Sequence, residues 1–217
     1  MSPARFDAIV FDLDGTLIDS LLDLAASVNY TRQRLGLDIL TTQRISTYVG
    51  DGATMLIRRA MGEGLTEMDI QNALNIFMTH YQSHLLDHTK LYHGVDEGLS
   101  SLTSLQLAVL TNKPLAPSRT ILQSLGILER FRAVHGGTCF EQKKPHPMGL
   151  EHILRNFGVS RDRTLMVGDS SIDIETGRNA ATLTCGVTYG FSSHTLKSVK
   201  ADFLIDDFRQ ISEIVFQ

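Results

Sequence analysis

Residues 6–20 read Phe-Asp-Ala-Ile-Val-Phe-Asp-Leu-Asp-Gly-Thr-Leu-Ile-Asp-Ser and set the architecture of the chain. Residues 8–11 form an apolar run with β-branched and aromatic members, which is typical of a strand buried on both faces of a parallel sheet. Asp12 and Asp14 follow this run directly, ahead of a Gly-Thr turn. Because a buried charge without a partner is costly, we expect a cation at this point. The alternative is a turn with two solvated aspartates.

The composition is that of a globular protein that does not bind nucleic acid. The chain has 217 residues, enough for one ordinary domain and a small second one. Hydrophobic residues make up 42% and charged residues 20%, which excludes disordered and fibrous classes. The formal net charge is -4 and no basic run is present. Nucleic acid is therefore excluded as the main partner, since phosphate backbones are bound by clustered Lys and Arg.

The cysteines and the hydropathy pattern predict a cytoplasmic protein. Cys139 and Cys185 are the only cysteines, so no disulfide framework is implied and a reducing compartment fits. The N-terminus lacks a charged segment followed by a long apolar one, and no run approaches the ~20 apolar residues that a membrane helix needs. We expect no association with a membrane.

Residues 18–88 are predicted to form a bundle of about four helices with no strand among them. Asp19 or Ser20 is placed to cap the first helix, and residues 53–61 have good helix composition. Residues 66–69 resemble a capping box, after which apolar residues continue along one helical face. An all-helical block directly behind a strand indicates an insertion rather than the next βαβ unit.

Alternation of strands and helices resumes after residues 93–94. Strands are predicted near residues 107–110, 133–136, 164–167, 183–187 and 203–205, with helical patterns between them. Repeated β-then-α units predict an α/β fold, an open parallel sheet with helices on both faces. The predicted domains are an α/β core formed by residues 1–17 and 89–217, and a helical domain formed by residues 18–88.

Four motifs occur in one order along nearly the whole chain: Asp12-Leu-Asp-Gly-Thr-Leu17, Ala108-Val-Leu-Thr-Asn112, Lys144-Pro145 and Val167-Gly-Asp-Ser-Ser-Ile-Asp173. Together they resemble the motifs of the haloacid dehalogenase superfamily, whose phosphatases attack phosphorus with the first aspartate. The resemblance implies a Rossmann-like parallel sheet with an inserted helical cap, and an enzyme that hydrolyses phosphoric monoesters.

The predicted strands place the motifs at one edge of the sheet. Asp12, Thr111 and Asp169 each follow a strand directly. In an open α/β sheet ligands bind beyond the carboxyl ends of the strands, so we expect these three residues to lie together. Lys144 follows a loop and can reach the same point. Lys143 is the alternative, but the adjacent Pro145 makes Lys144 the better match to the motif.

The resemblance implies a Mg²⁺ site built from hard oxygen ligands. These are the carboxylates of Asp12 and Asp169 and the main-chain carbonyl of Asp14, an oxygen set that suits Mg²⁺. Asp173 is expected to orient the groups around the metal rather than to bind it. A divalent ion is needed because a phosphate monoester is a dianion that repels an anionic nucleophile.

The resemblance also assigns catalytic roles. Asp12 forms an aspartyl-phosphate, and Asp14 acts as general acid and then as general base. Lys144 adds fixed positive charge, and Thr111 holds phosphoryl oxygens. Thr111, Asn112 and Lys144 form the expected substrate-binding set. Asp14 favours a phosphatase or phosphomutase, because dehalogenating members of the superfamily lack an acid there and transport ATPases carry threonine.

Residues 50–52, 111–114 and 143–147 resemble the phosphoglycolate phosphatase branch of the superfamily. This implies hydrolysis of 2-phosphoglycolate to glycolate and phosphate, under a cap that admits small phosphate esters. One departure is Thr138, where that branch commonly has aspartate. The alternatives are a pyrophosphatase, a sugar or nucleotide phosphatase, a β-phosphoglucomutase-type phosphomutase, and a non-enzymatic module. Monomer and homodimer both remain open.

Overall fold

The computed structural model describes residues 4–216. Over that range the chain forms eight strands: β1 (Ala8–Phe11), β2 (Ile18–Asp19), β3 (Lys90–Leu91), β4 (Gln106–Leu110), β5 (Ala133–His135), β6 (Thr164–Gly168), β7 (Leu183–Val187) and β8 (Phe203–Ile205). Six of these strands form one parallel sheet in the order β5-β4-β1-β6-β7-β8. The predicted α/β class is confirmed.

The α-helices of the described range are α1 (Leu21–Arg34), α2 (Thr42–Ser46), α3 (Ala53–Met61), α4 (Glu67–Ser83), α5 (Val95–Ser101), α6 (Leu115–Ser124), α7 (Met148–Phe157), α8 (Ser171–Asn179) and α9 (Ile211–Val215). None of the helices in residues 4–216 combines the length and the apolar character that crossing a lipid bilayer requires. The first four helices lie between β2 and β3, and the other five lie between or after the strands of the large sheet.

Strand β1 is the centre of the sheet and is buried on both faces, as predicted. Its side chains alternate between two apolar clusters. Ile9 and Phe11 join the larger cluster, which continues into the helical segment. Ala8 and Val10 join a smaller cluster that is covered by α7. A strand with both faces covered has no room for polar residues, which explains the uninterrupted apolar run.

The helical segment folds largely as its sequence pattern predicts. Helix α3 has the predicted bounds. Helix α4 begins with a capping box, in which Asp69 N donates to Thr66 Oγ1 and Thr66 N donates to Asp69 Oδ2. Its buried face carries Phe77 and Tyr81, which pack with their rings 5.4 Å apart. Helix α2 begins after Thr41, whose Oγ1 accepts a hydrogen bond from Arg44 N, and ends at Ser46.

The prediction that residues 18–88 contain no strand is wrong. Strand β2 pairs antiparallel with β3, and Ile18 stands opposite Leu91. Each strand has only two residues, too short for an alternating pattern to be visible in the sequence. The short ribbon joins the point where the chain leaves the sheet domain to the point where it returns.

Candidate active site

Three neighbouring strands bring the predicted residues together at the carboxyl edge of the sheet. Strand β1 lies between β4 and β6, and Phe11 is paired with both Val109 and Val167. Asp12, Thr111 and Asp169 follow shortly after these paired positions, and all three line one cavity. The expected gathering of residues distant in sequence is therefore present in the fold.

Three buried carboxylates and one lysine form the floor of the site. Asp12, Asp169 and Asp173 each offer an oxygen, and these oxygens lie within 4.8 Å of one another. Lys144 Nζ lies 2.8 Å from Asp12 Oδ1 and 2.5 Å from Asp173 Oδ1. The sequence favoured Lys144 over Lys143, and the structure places Lys143 at the surface instead.

The single positive charge of Lys144 does not balance the three carboxylates of this cluster. Burial, only partly offset by Lys144, raises the pKa of Asp12 to about 6. Burial and then repulsion from Asp173 and Asp12 raise the pKa of Asp169 well above its ordinary value. A buried all-oxygen donor set with excess negative charge is what a hard divalent cation binds, so the residues present fit such an ion. Asp12 and Asp169 are the carboxylates that would hold it.

We expect a divalent cation to stabilise the protein in a pH-dependent way. In the metal-free protein the pKa of Asp12 is raised from 3.8 to about 6, so stability present below the lower value is lost as the pH rises through the higher one. Mg²⁺ at about 100 times its dissociation constant adds about 2.7 kcal/mol, or roughly 5 to 10 °C in Tm. Thermal unfolding with and without Mg²⁺ should show this shift near about pH 7.5 and a much smaller one near about pH 5.

Asp169→Asn is the matched control for that experiment, because it keeps the shape of the side chain and removes one carboxylate of the cluster. The variant should lose most of the Mg²⁺-induced shift. An equal shift in the variant and the wild type would mean that the cation binds elsewhere.

The side chain of Asn112 fixes the loop that carries Lys144. Its Oδ1 accepts a hydrogen bond from Lys144 N at 3.0 Å, and its Nδ2 donates to Lys144 O at 3.0 Å and to Gly50 O at 2.9 Å. These bonds occupy both amide protons. The sequence predicts that Asn112 binds the substrate, and this stays a prediction. Because its side-chain amide is occupied, Asn112 would have to bind the substrate through its main chain. The observed contacts make it a positioning residue.

Asp14 is held by two side chains, those of Ser20 and Lys113. Ser20 Oγ donates to Asp14 Oδ1 at 2.5 Å, and Lys113 Nζ lies 3.1 Å and 3.2 Å from the two carboxylate oxygens. Asp19 or Ser20 was predicted to cap the first helix. Asp19 Oδ1 accepts from Leu21 N at 3.4 Å, whereas the side chain of Ser20 makes no capping hydrogen bond. Its hydroxyl instead orients the carboxyl group of Asp14.

Lys113 is the functional residue that sequence reasoning missed. Its side chain is 4% exposed and also donates to Tyr81 Oη at 2.6 Å. Burial by itself lowers the pKa of Lys113, but the Asp14 carboxylate and the Tyr81 hydroxyl outweigh it and the pKa is raised. The lysine is therefore a permanent cation. The signal was its place within the quoted residues 111–114, directly after a strand.

The cavity is closed by residues of both parts of the chain. Its volume is about 50 Å³. The sheet domain contributes Asp12, Asp14 and Thr111, while apolar residues such as Leu56 and Phe77 come from the helices between β2 and β3. Thr111 is buried, and its Oγ1 accepts a hydrogen bond from Lys113 N at 3.2 Å. The arrangement suits a small ligand with polar groups at one end.

Gly15 allows the loop after β1 to approach the acidic cluster. Its φ is +86°, and a Cβ atom there would lie 2.3 Å from Asp169 Oδ2. Only glycine satisfies both conditions, since side-chain-bearing residues rarely adopt this φ. The Asp-Gly turn thus lets Asp12 and Asp169 face one point.

Known protein families were compared with this chain, and one family model matches a stretch that contains all four motifs. The model of the haloacid dehalogenase-like hydrolases matches residues 9–187, which is most of the chain. The chain belongs to this family. This hydrolase therefore has the family's core fold, and the recognition made from the four motifs is confirmed.

The relatives of this hydrolase include several phosphoglycolate phosphatases. A phosphoglycolate phosphatase of Chromobacterium violaceum is 34% identical over 99% of both chains. Another from Colwellia psychrerythraea is 38% identical over 86% of each. The crystal structure of a predicted phosphoglycolate phosphatase from Haemophilus somnus covers 97% of this chain and 98% of its own, with a TM-score of 0.91 and 34% identity. These similarities place this hydrolase in the phosphoglycolate phosphatase-like branch, among phosphoric monoester hydrolases.

Proposed function

We propose that this hydrolase converts 2-phosphoglycolate to glycolate and phosphate through an aspartyl-phosphate on Asp12, with Mg²⁺ as cofactor. The observation that carries the proposal is the carboxyl pair: Asp12 belongs to the acidic cluster and contacts Lys144, while Asp14 is held by Ser20 and Lys113. This difference in surroundings supports Asp12 as the nucleophile and Asp14 as the group that transfers a proton. The named relatives support the choice of substrate.

In the first step, a carboxylate oxygen of Asp12 bonds to phosphorus and the bond between phosphorus and the ester oxygen breaks. Asp14, in its acid form, gives its proton to the departing oxygen, so glycolate leaves as an alcohol. Lys144, whose Nζ lies 2.8 Å from Asp12 Oδ1, and Thr111, which lines the cavity, hold phosphoryl oxygens in this proposal.

In the second step, Asp14 takes a proton from water, whose oxygen bonds to phosphorus as the bond to Asp12 breaks. Phosphate leaves and both carboxyl groups return to their starting forms. Asp12 and Asp169 would hold the Mg²⁺, with the main-chain carbonyl of Asp14 as a third ligand. When bound, the ion offsets the negative charge that builds up on the phosphoryl group.

Residues 18–88 act in this proposal as a cap on the α/β core of residues 1–17 and 89–217. The cavity takes its apolar wall from the helices of this segment, which limits entry of water and admits small molecules. Both cysteines of the described chain are free, so we propose that the enzyme works in the reducing cytoplasm.

A hydrolysis screen with Mg²⁺ tests the proposal. The panel contains phosphoglycolate, pyrophosphate, several sugar phosphates and nucleoside monophosphates, and released phosphate is measured. We expect kcat/KM for phosphoglycolate to exceed that for every other compound by roughly 10-fold or more. A site that binds the carboxylate of phosphoglycolate rejects phosphates that lack this carboxylate.

Other outcomes would replace this function. Preference for pyrophosphate, a sugar phosphate or a nucleotide would contradict the substrate and leave the chemistry in place. A requirement for a sugar bisphosphate, with little free phosphate released, would indicate a phosphomutase. An absence of turnover on the whole panel would contradict the proposal.

A further inference from the structure

The lining of the cavity carries one cation beside Asp14. Among residues 4–216, Lys113 is the only basic side chain that lines this cavity. Around it the lining is largely apolar, with Leu24, Leu56 and Phe77 contributed by the helical segment. Lys113 is paired with the Asp14 carboxylate and donates to the Tyr81 hydroxyl, and an ammonium group has three protons to donate. Lys113 is therefore the lining residue that can pair with a second negative group on a bound ligand.

The position of this cation matches a particular substrate geometry. Lys113 Nζ lies 3.1 Å from Asp14 Oδ1, and in the proposed function the carboxyl group of Asp14 faces the ester oxygen. In phosphoglycolate one methylene group separates the ester oxygen from the carboxylate. An anion so close to the ester oxygen falls within reach of an amine that contacts the proton donor.

Tyr81 supplies a second group for the same anion. Its hydroxyl accepts the hydrogen bond from Lys113 at 2.6 Å and, in the described part of the chain, donates to no other residue. A phenol that accepts one hydrogen bond still has its own proton to donate. Because Tyr81 lies on α4, this donor comes from the helical segment, whereas Lys113 comes from the sheet domain.

We propose, on the basis of the proposed function, that Lys113 and the Tyr81 hydroxyl bind the carboxylate of the substrate. The site thereby selects phosphate esters of 2-hydroxy acids, in which the carboxylate stands on the carbon bonded to the ester oxygen. Esters with a neutral group at this position leave the lysine without the second anion. Longer esters direct their polar groups toward the apolar wall. Lys113 and Tyr81 are then specificity-determining residues.

The test compares two substrates that differ at this position alone. Phosphoglycolate carries the carboxylate, and ethyl phosphate has a methyl group in its place. kcat/KM is measured with Mg²⁺ for the wild type, Lys113→Met, Tyr81→Phe and Lys143→Met. Lys143→Met is the matched control, because it removes the same charge from an exposed position outside this cavity.

We expect Lys113→Met to reduce the preference for phosphoglycolate over ethyl phosphate by roughly 10- to 100-fold, the range for hydrogen bonds to charged groups. Tyr81→Phe should reduce the same ratio by about 3- to 10-fold. Lys143→Met should leave it within about 3-fold, as is usual for an exposed charge. Tyr81→Phe keeps every charge in the site, so it answers the question even if Lys113→Met folds poorly.

Equal losses on both substrates in Lys113→Met and Tyr81→Phe would overturn the inference, since the two residues would then only position Asp14. A loss of preference in Lys143→Met alone would overturn it too. These results differ from a failure of the proposed function, in which the wild type itself shows no turnover of phosphoglycolate.

Discussion

Asp12→Asn is expected to lower kcat by about 10⁴-fold or more, because the amide cannot form the acyl phosphate that the proposed mechanism requires. The change keeps the size and shape of the side chain. Single-turnover measurements of phosphate release from phosphoglycolate give the loss directly. Turnover near the wild-type level would refute Asp12 as the nucleophile.

The stability of the same variant separates chemistry from folding. Burial raises the pKa of Asp12 to about 6, so the ionised side chain destabilises the metal-free protein near neutral pH. Asp12→Asn should therefore raise the Tm of the metal-free protein, or leave it unchanged, while abolishing activity. Asp7→Asn is a suitable control, since Asp7 precedes the same strand at its far end and should leave turnover unchanged.

Lys144→Met is expected to lower the free energy of unfolding by about 3 to 5 kcal/mol near neutral pH. The lysine is 3% exposed and contacts both Asp12 and Asp173, so its removal leaves buried carboxylates without their cation. Activity should fall by at least about 100-fold, because fixed positive charge at the phosphoryl group is lost. Urea unfolding of the metal-free variant and wild type measures the difference.

The destabilisation should depend on pH. Carboxylates that lose their cation have a higher pKa in the folded than in the unfolded protein, so the variant loses stability as the pH rises and regains it as the pH falls. The gap to the wild type should narrow near about pH 5. Lys143→Met should stay within about 0.5 kcal/mol of the wild type. A comparable loss in both variants would contradict a special role for Lys144.

Much of the candidate site could be predicted from the sequence because its polar residues directly follow strands. Asp12, Thr111 and Asp169 come directly after apolar runs, and parallel strands deliver such positions to one edge. The bounds of α3 could be predicted as well, because Gly52 and Gly62 flank this helix. Local patterns carry this information.

The parts that escaped prediction depend on contacts across the fold. Tyr81 lies on an apolar helix face, where an aromatic residue that packs and one that also presents its hydroxyl look alike. Ser20 occupies the N-cap position of α1, but its hydroxyl donates a hydrogen bond to Asp14 instead. Lys113 follows a strand as Thr111 does, but nothing local shows that a tyrosine 32 positions earlier meets its amine.

The ribbon of β2 and β3 has a consequence for how enzymes of this kind diversify. Ile18 stands opposite Leu91, so the chain departs from the core and rejoins it through one narrow neck. Because β2 and β3 hold the two ends of the helical segment together, this segment can be lengthened, shortened or exchanged without moving the points where it joins the sheet domain. Asp12 and Asp14 belong to the sheet domain, and most of the apolar wall of the cavity belongs to the helical segment. The apolar part of the cavity can therefore change in evolution without any change to these two carboxylates.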